Sequence, residues 1–182
     1  HPLDTDDLVL GTESRDFLAG GLGNDVLRGG RDGDIYAYHV GDGDDRIADN
    51  NDRPTDDPTK HLDLLQVFGD ATADSLSYGR AGESNDLVLT FLDADGNATG
   101  DRVTIEGQFA WFNVPFLGLY FGDAIERIVF EDGSFLTQTD VMARVLAEAK
   151  TDGADPIYGF HNDDVLDGGA GDDLVVGKDG ND

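Results

Sequence analysis

The sequence predicts a mostly β protein: a parallel β-roll of nine-residue repeats at both ends of the chain, with an inserted antiparallel β domain and one short helix between them. Three observations carry this. Glycine and aspartate recur together with a period of nine near each end. Between 49 and 150 that period stops, and strand-length apolar runs separated by turn signals replace it. At about 140–150, apolar residues fall at helical spacing. The repeat segments are then 8–48 and 151–182, the second expected to stack on the first.

In the first segment, Gly20-Gly21-Leu22-Gly23-Asn24-Asp25-Val26-Leu27-Arg28 matches G-G-x-G-x-D-x-U-x in full, U being a large apolar residue. Gly11–Ala19 precedes it with Asp16 and Leu18 in register, and Gly29–Ala37 follows with Asp34 and Tyr36, Asp32 standing where a glycine is expected. A fourth copy, Gly43-Asp44-Asp45-Arg46-Ile47, is displaced by two residues. In the second segment the copies run through Gly153/Asp155/Ile157, Gly159/Asp164/Leu166 and Gly168-Gly169-Ala170-Gly171-Asp172-Asp173-Leu174-Val175-Val176, and Gly177 to Asp182, with Gly180, opens another.

Six glycine-rich residues make a tight turn and x-U-x a short strand with its apolar side chain inward, so two units close one coil. Each aspartate then lies over its equivalent 18 residues away, or 20 at the displaced fourth copy, giving the pairs Asp16/Asp34, Asp25/Asp45, Asp155/Asp173 and Asp164/Asp182. A continuous roll would add Asp34/Asp155 and Asp45/Asp164, making six sites of four. Stacked carboxylates repel unless a cation lies between them. Carboxylates mixed with turn carbonyls suit calcium, which takes six to eight oxygens at about 2.3–2.6 Å, better than magnesium with its strict octahedron.

Composition agrees. Asp and Glu number 39 against 12 Lys and Arg, a net charge of −27, which sets the chain against phosphate backbones and anionic membranes. The longest apolar stretch, 109–122, is interrupted by Asn113 and Pro115 and is far short of the roughly 20 residues of a membrane span. There is no cysteine, so disulfides, thiol catalysis and thiolate zinc sites are all excluded.

At these motifs the sequence resembles the RTX family, the calcium-binding β-roll repeats of secreted bacterial toxins, proteases, lipases and adhesins. The resemblance implies type I export as an unfolded chain and folding on calcium outside the cell. It carries the metal role to Asp16, Asp25, Asp34, Asp45, Asp155, Asp164, Asp173 and Asp182. Carbonyls would come from Gly11, Gly20, Gly23, Gly29, Gly43, Gly159, Gly168, Gly171, Gly177 and Gly180, for roughly four to six ions. Phe160 and Asn162, like Asp32, depart from the pattern.

Within the insertion, 62–68, 87–92, 102–106 and 125–130 read as strands. Asp93-Ala94-Asp95-Gly96-Asn97 reads as a hairpin tip; it also resembles the opening of an EF-hand loop, but Thr104 stands where the bidentate glutamate belongs. Thr137 and Thr139 are potential caps for a helix presenting Val141, Val145, Leu146 and Ala149 on one face. Asp101-Arg102-Val103-Thr104-Ile105 with Ile125-Glu126-Arg127-Ile128-Val129-Phe130-Glu131-Asp132-Gly133-Ser134 resembles the haemolysin-type calcium-binding related domain that interrupts RTX repeats. Together the two resemblances suggest a split module of a large RTX adhesin.

The segment 108–121 concentrates the only Trp with four Phe and a Tyr. It fills a core or forms a ligand-carrying loop, Pro115 and Gly118 favouring the loop; Trp111, Phe112, Tyr120 and Phe121 are its candidate contact residues. No H-E-x-x-H or G-x-S-x-G occurs among the histidines and serines, so no enzyme is expected. The function expected is a calcium-dependent module of a secreted adhesin, a monomeric piece of a larger chain. It would bind a peptide or glycan on a host or neighbouring cell and be attached to its own cell surface, if at all, through the rest of the parent protein. The alternatives are a purely structural, export-assisting block and a targeting appendage of a secreted enzyme.

Overall fold

A computed structural model describes residues 5–49, 62–80, 83–114, 118–121 and 124–182, with the side chains of 111–114 and 118–121 outside the description. The protein is mostly β with one short helix. The first segment forms β1 (Leu8–Leu10), β2 (Phe17–Ala19), β3 (Val26–Arg28), β4 (Ile35–His39) and β5 (Asp44–Ile47). Successive strands go to alternate sheets: β1, β3 and β5 pair in parallel in one, β2 and β4 in the other. The register is 18 residues at Leu8↔Val26 and Phe17↔Ile35 and becomes 20 at Val26↔Arg46, where the displaced fourth copy joins. Leu18, Leu27, Tyr36 and Ile47, the apolar position of each copy, are buried.

The insertion extends both sheets. β6 (Leu64–Phe68) lies parallel to β4, with β12 (Arg127–Phe130) parallel to β6 and β13 (Phe135–Thr137) antiparallel at the edge. On the other sheet β9 (Ala98–Ile105) lies parallel to β5, followed by antiparallel β8 (Leu87–Leu92) and β7 (Leu76–Gly79). The inserted domain is therefore mixed and not antiparallel as expected. Its strands alternate buried and half-buried positions along β6 and β8, the mark of a sheet with one face on the core. One hydrophobic cluster joins Leu27, Leu65, Leu89, Val103 and Ile128 with the helix residues Val141, Met142 and Val145.

Helix α1 (Gln138–Ala149) begins at a capping box: the Thr137 hydroxyl accepts the N–H of Asp140, and the Asp140 carboxylate accepts the N–H of Thr137. β10 (Trp111–Val114) and β11 (Gly118–Phe121) pair antiparallel, so Gly118 opens a strand where the sequence favoured a loop; Pro115 lies outside the described residues. The Asp93–Asn97 segment is the turn between β8 and β9. The Asp93 carboxylate accepts the N–H groups of Asp95 and Asn97, and Gly96 has φ 82°. Thr104 then sits in β9, so the chain leaves this turn as a strand and does not wrap a loop around an ion.

In the second segment β14 (Pro156–Tyr158) and β15 (Leu174–Val176) pair in parallel, again 18 residues apart, as a sheet of their own. This segment does not stack on the first, a correction to the expected continuous roll. The edges beside β4 and β5 are taken by β6 and β9. β6 offers five paired positions to β4, whereas a repeat strand such as β14 offers three to its neighbour. The copy at Asp164 and Leu166 forms no strand, and Val165 stands exposed, in line with the departures at Phe160 and Asn162.

Candidate metal centre

Asp16, Asp25, Asp34, Asp155 and Asp173 stand just before a strand and Asp45 near the start of one, and the pairing between copies fixes what each carboxylate meets. In the first segment the Asp25 carboxylate accepts the N–H of Asp7 (2.7 Å), and that of Asp45 accepts the N–H of Asp25 (2.9 Å). On the other side Asp34 accepts from Asp16 (2.7 Å), Asp63 from Asp34 (2.6 Å) and Glu126 from Asp63 (2.6 Å). In the second segment Asp173 accepts from Asp155 (3.1 Å) and Asp182 from Asp164 (3.0 Å). All four same-side pairs anticipated within the segments are thus brought together. The two pairs between segments, Asp34/Asp155 and Asp45/Asp164, are not formed: Asp63 takes the place beside Asp34, and β9 lies beside β5.

The other carboxylate oxygen of six of the eight repeat aspartates, all but Asp45 and Asp155, lies over the first glycine of its own copy. A Cβ on Gly20 would come within 2.1 Å of Asp25 Oδ2; on Gly29, within 2.0 Å of Asp34 Oδ2; on Gly177, within 2.2 Å of Asp182 Oδ2. Gly11, Gly159 and Gly168 stand in the same relation to Asp16, Asp164 and Asp173. The later turn glycines hold positive φ and meet the previous coil's carbonyls. A Cβ on Gly23, Gly43, Gly171 or Gly180 would lie 2.6, 2.2, 2.1 or 2.4 Å from the oxygen of Thr5, Gly23, Gly153 or Asn162. Carboxylate and carbonyl oxygens therefore converge in the turns, and only glycine fits between them.

Three of these carboxylates, Asp25, Asp45 and Asp164, are costly to ionise. Asp25 is 1% exposed, and burial holds its pKa above the usual range, the N–H of Asp7 opposing and Asp7, Asp6 and Asp42 adding repulsion. Burial pushes Asp45 to about 7, the Asp25 N–H bond opposing and Asp25, Asp42 and Asp44 adding to it. Burial likewise raises Asp164. Asp25 Oδ2 is inaccessible and has no hydrogen-bond partner among the described residues. The donor set is all oxygen and formally anionic, and an orphaned buried carboxylate oxygen is what a hard cation would satisfy.

Four acidic residues in these ladders escaped sequence reasoning: Asp7, Asp49, Asp63 and Glu126. Asp34, Asp49 and Asp63 are buried with one carboxylate oxygen each, all within 4.8 Å of one another. Tyr36 donates to Asp49 (2.7 Å) and accepts from the N–H of Gly29 (2.9 Å), and burial, then Asp49, pushes Asp63 upward. The signal was present without glycine. Asp63-Leu64-Leu65 and Glu126-Arg127-Ile128 repeat the acid-x-apolar order of Asp34-Ile35-Tyr36.

Residues 86–140 match the family model of the haemolysin-type calcium binding protein related domain. The match supports an RTX-like calcium-binding family. Over 137 residues, 75% of this chain, the sequence is 33% identical to the iron-regulated protein FrpA of Neisseria meningitidis serogroup C, of which the chain spans 10% of the length. The span matched by the family model runs from β8 to the start of α1, and so covers β9, which extends one of the first segment's sheets, and β12 and β13 of the other, but not β6 or β7.

The aromatic segment divides. Phe109 is buried, its ring 4.7 Å from that of Phe160. The side chains of Trp111, Phe112, Tyr120 and Phe121 lie outside the described residues; their backbones pair Trp111 with Phe121 and Phe112 with Tyr120. No helix is long and apolar enough to cross a membrane among the described residues.

Proposed function

We propose that the chain is a calcium-folded module of a secreted protein, in which nine-residue coils close into β-rolls outside the cell and the finished scaffold presents the β10–β11 hairpin to a peptide or glycan. The observation that carries the calcium reading is Asp25, a carboxylate 1% exposed with one oxygen bonded to Asp7 of the copy before it and the other without a partner among the described residues. Asp25 and Asp45, Asp16 and Asp34, Asp155 and Asp173, and Asp164 and Asp182 would hold the ions, with turn carbonyls beside them. Bound calcium would supply the charge that lets these carboxylates be buried together. The chain's own part is to hold the oxygens in register and to keep side chains out of the turns.

The ligand reading, that of an adhesin module, is supported by the hairpin's standing as a two-stranded sheet apart from the two large ones. Phe109 in the core supports the structural alternative for the start of the same segment. Neither reading gives the module a catalytic step. Titrating calcium into metal-stripped protein, followed by circular dichroism and Trp111 fluorescence, tests the first half; a coil-to-β transition is expected. Repeating it with peptide and glycan panels tests the second. Trp111→Ala should abolish ligand binding with the calcium midpoint unchanged, whereas global destabilisation would favour the structural reading.

A further inference from the structure

The second segment meets the insertion at a half-buried cation, besides the exposed pair of Lys150 with Asp167. Arg80 follows β7, and its Nε donates to the Ser84 carbonyl (3.0 Å) while Nη1 faces the carbonyls of Tyr158 (3.3 Å) and Gly159 (3.4 Å). Its guanidinium lies over the rings of Phe160 (4.9 Å) and Phe109 (5.5 Å), each 1% exposed. Nη2 is inaccessible and has no hydrogen-bond partner among the described residues. The anion that acts most on Arg80 is Asp164, itself buried. Asp164 is where a ladder ends: outward it meets Asp182, but the residue 18 positions earlier, Leu146, lies in α1 and not in a repeat. Gly159, whose carbonyl faces Arg80, is the glycine over which Asp164 Oδ2 lies.

We propose that Arg80 is the resident cation at the inner end of the second segment, playing there the part that calcium plays between coils, so that this segment is anchored to the insertion by protein charge. The parallel with an ion rests on the calcium reading; the anchoring does not. No ion is then needed at the seam, and the sites belong to pairs within each segment.

The test is hydrogen exchange in calcium-saturated protein at two amides of the segment, Gly159 N, bonded to the Val176 carbonyl, and Leu174 N, bonded to that of Asp155. Arg80→Met keeps the apolar stem and removes the charge. It should speed exchange there by about tenfold or more, as for loss of a charged hydrogen bond, with Leu89 and Val103 unchanged. Arg80→Lys, the variant less apt to misfold, should retain part of the protection. Asp164→Asn should cost less in the Arg80→Met background than alone, because the charge it removes no longer has a counterpart. Unchanged exchange at both amides, or additive effects of the two substitutions, would overturn the proposal. A chain whose folding ignores calcium would remove the parallel with an ion and leave this cycle readable.

Discussion

Replacing Asp25 by Asn should stabilise the calcium-free fold and weaken calcium binding at once. Asp25 is 1% exposed, and its Oδ2 has no partner among the described residues, so the ionised side chain bears a desolvation cost that the N–H of Asp7 at 2.7 Å offsets only in part. The amide has nearly the same shape and can keep that hydrogen bond through its own oxygen. Exchanging a buried charge for a neutral polar group should return about 1–3 kcal/mol to the metal-free fold, less the difference between a charged and a neutral hydrogen bond, about 1 kcal/mol. With calcium the sign reverses, because one anionic ligand is gone from the Asp25/Asp45 pair; a tenfold rise in the calcium midpoint corresponds to about 1.4 kcal/mol. Urea unfolding followed by circular dichroism, in chelator and in saturating calcium, reads both effects. A variant less stable in chelator, with an unchanged calcium midpoint, would refute the reasoning and make Asp25 a turn cap alone.

Three further outcomes follow from the same geometry. Burial pushes Asp45 to about 7 in the fold against 3.8 ordinarily, so its contribution is fully present below about pH 4 and is lost as pH rises through 7; the unfolding free energy from urea titrations in chelator should fall over that window by up to roughly 4 kcal/mol, and calcium affinity should rise with pH as its proton leaves. Gly43→Ala should destabilise by roughly 2–3 kcal/mol or more, since φ is 122° and the new Cβ would lie 2.2 Å from the Gly23 carbonyl oxygen, whereas Gly41→Ala, at φ 101° with nothing within 4 Å, should cost only about 1 kcal/mol of backbone strain; thermal unfolding of the pair separates clash from conformation. Magnesium at equal concentration should fail to produce the transition that calcium produces by circular dichroism, its octahedron being too strict for a set of fixed carbonyls and carboxylates.

The coils were legible because their period is short and each signal is local. A glycine turn, an aspartate and one inward apolar residue recur every nine positions, so register, the apolar core positions Leu18, Leu27, Tyr36 and Ile47 and the four pairs within the segments could all be read from spacing. The course of the insertion was not. Leu64–Phe68 and Arg127–Phe130 show the alternation of any half-buried strand, which is the same in parallel and antiparallel pairing. Direction was decided by the neighbour available, β4, and that neighbour is brought close only by folding. Asp63 and Glu126 were missed for the same reason, their partners lying 29 and 63 residues away.

That the insertion takes over the ladder explains how a stack of identical coils can stop. A coil left bare would present an unpaired strand edge and half of an ion site, both open to another chain. Here β6 covers the edge of β4 and brings Asp63, β12 covers β6 and brings Glu126, and β13 turns antiparallel and ends the sheet. On the other sheet β9 covers β5, and its Arg102 pairs with Asp44 (2.6 Å) while Arg46 pairs with Glu106, so the cross-strand charges are met by side chains. On the β4 sheet the acidic order persists for two strands, β6 and β12, beyond the last glycine turn, whereas on the β5 sheet arginine pairs meet the acidic side chains, so the insertion covers both edges by different means.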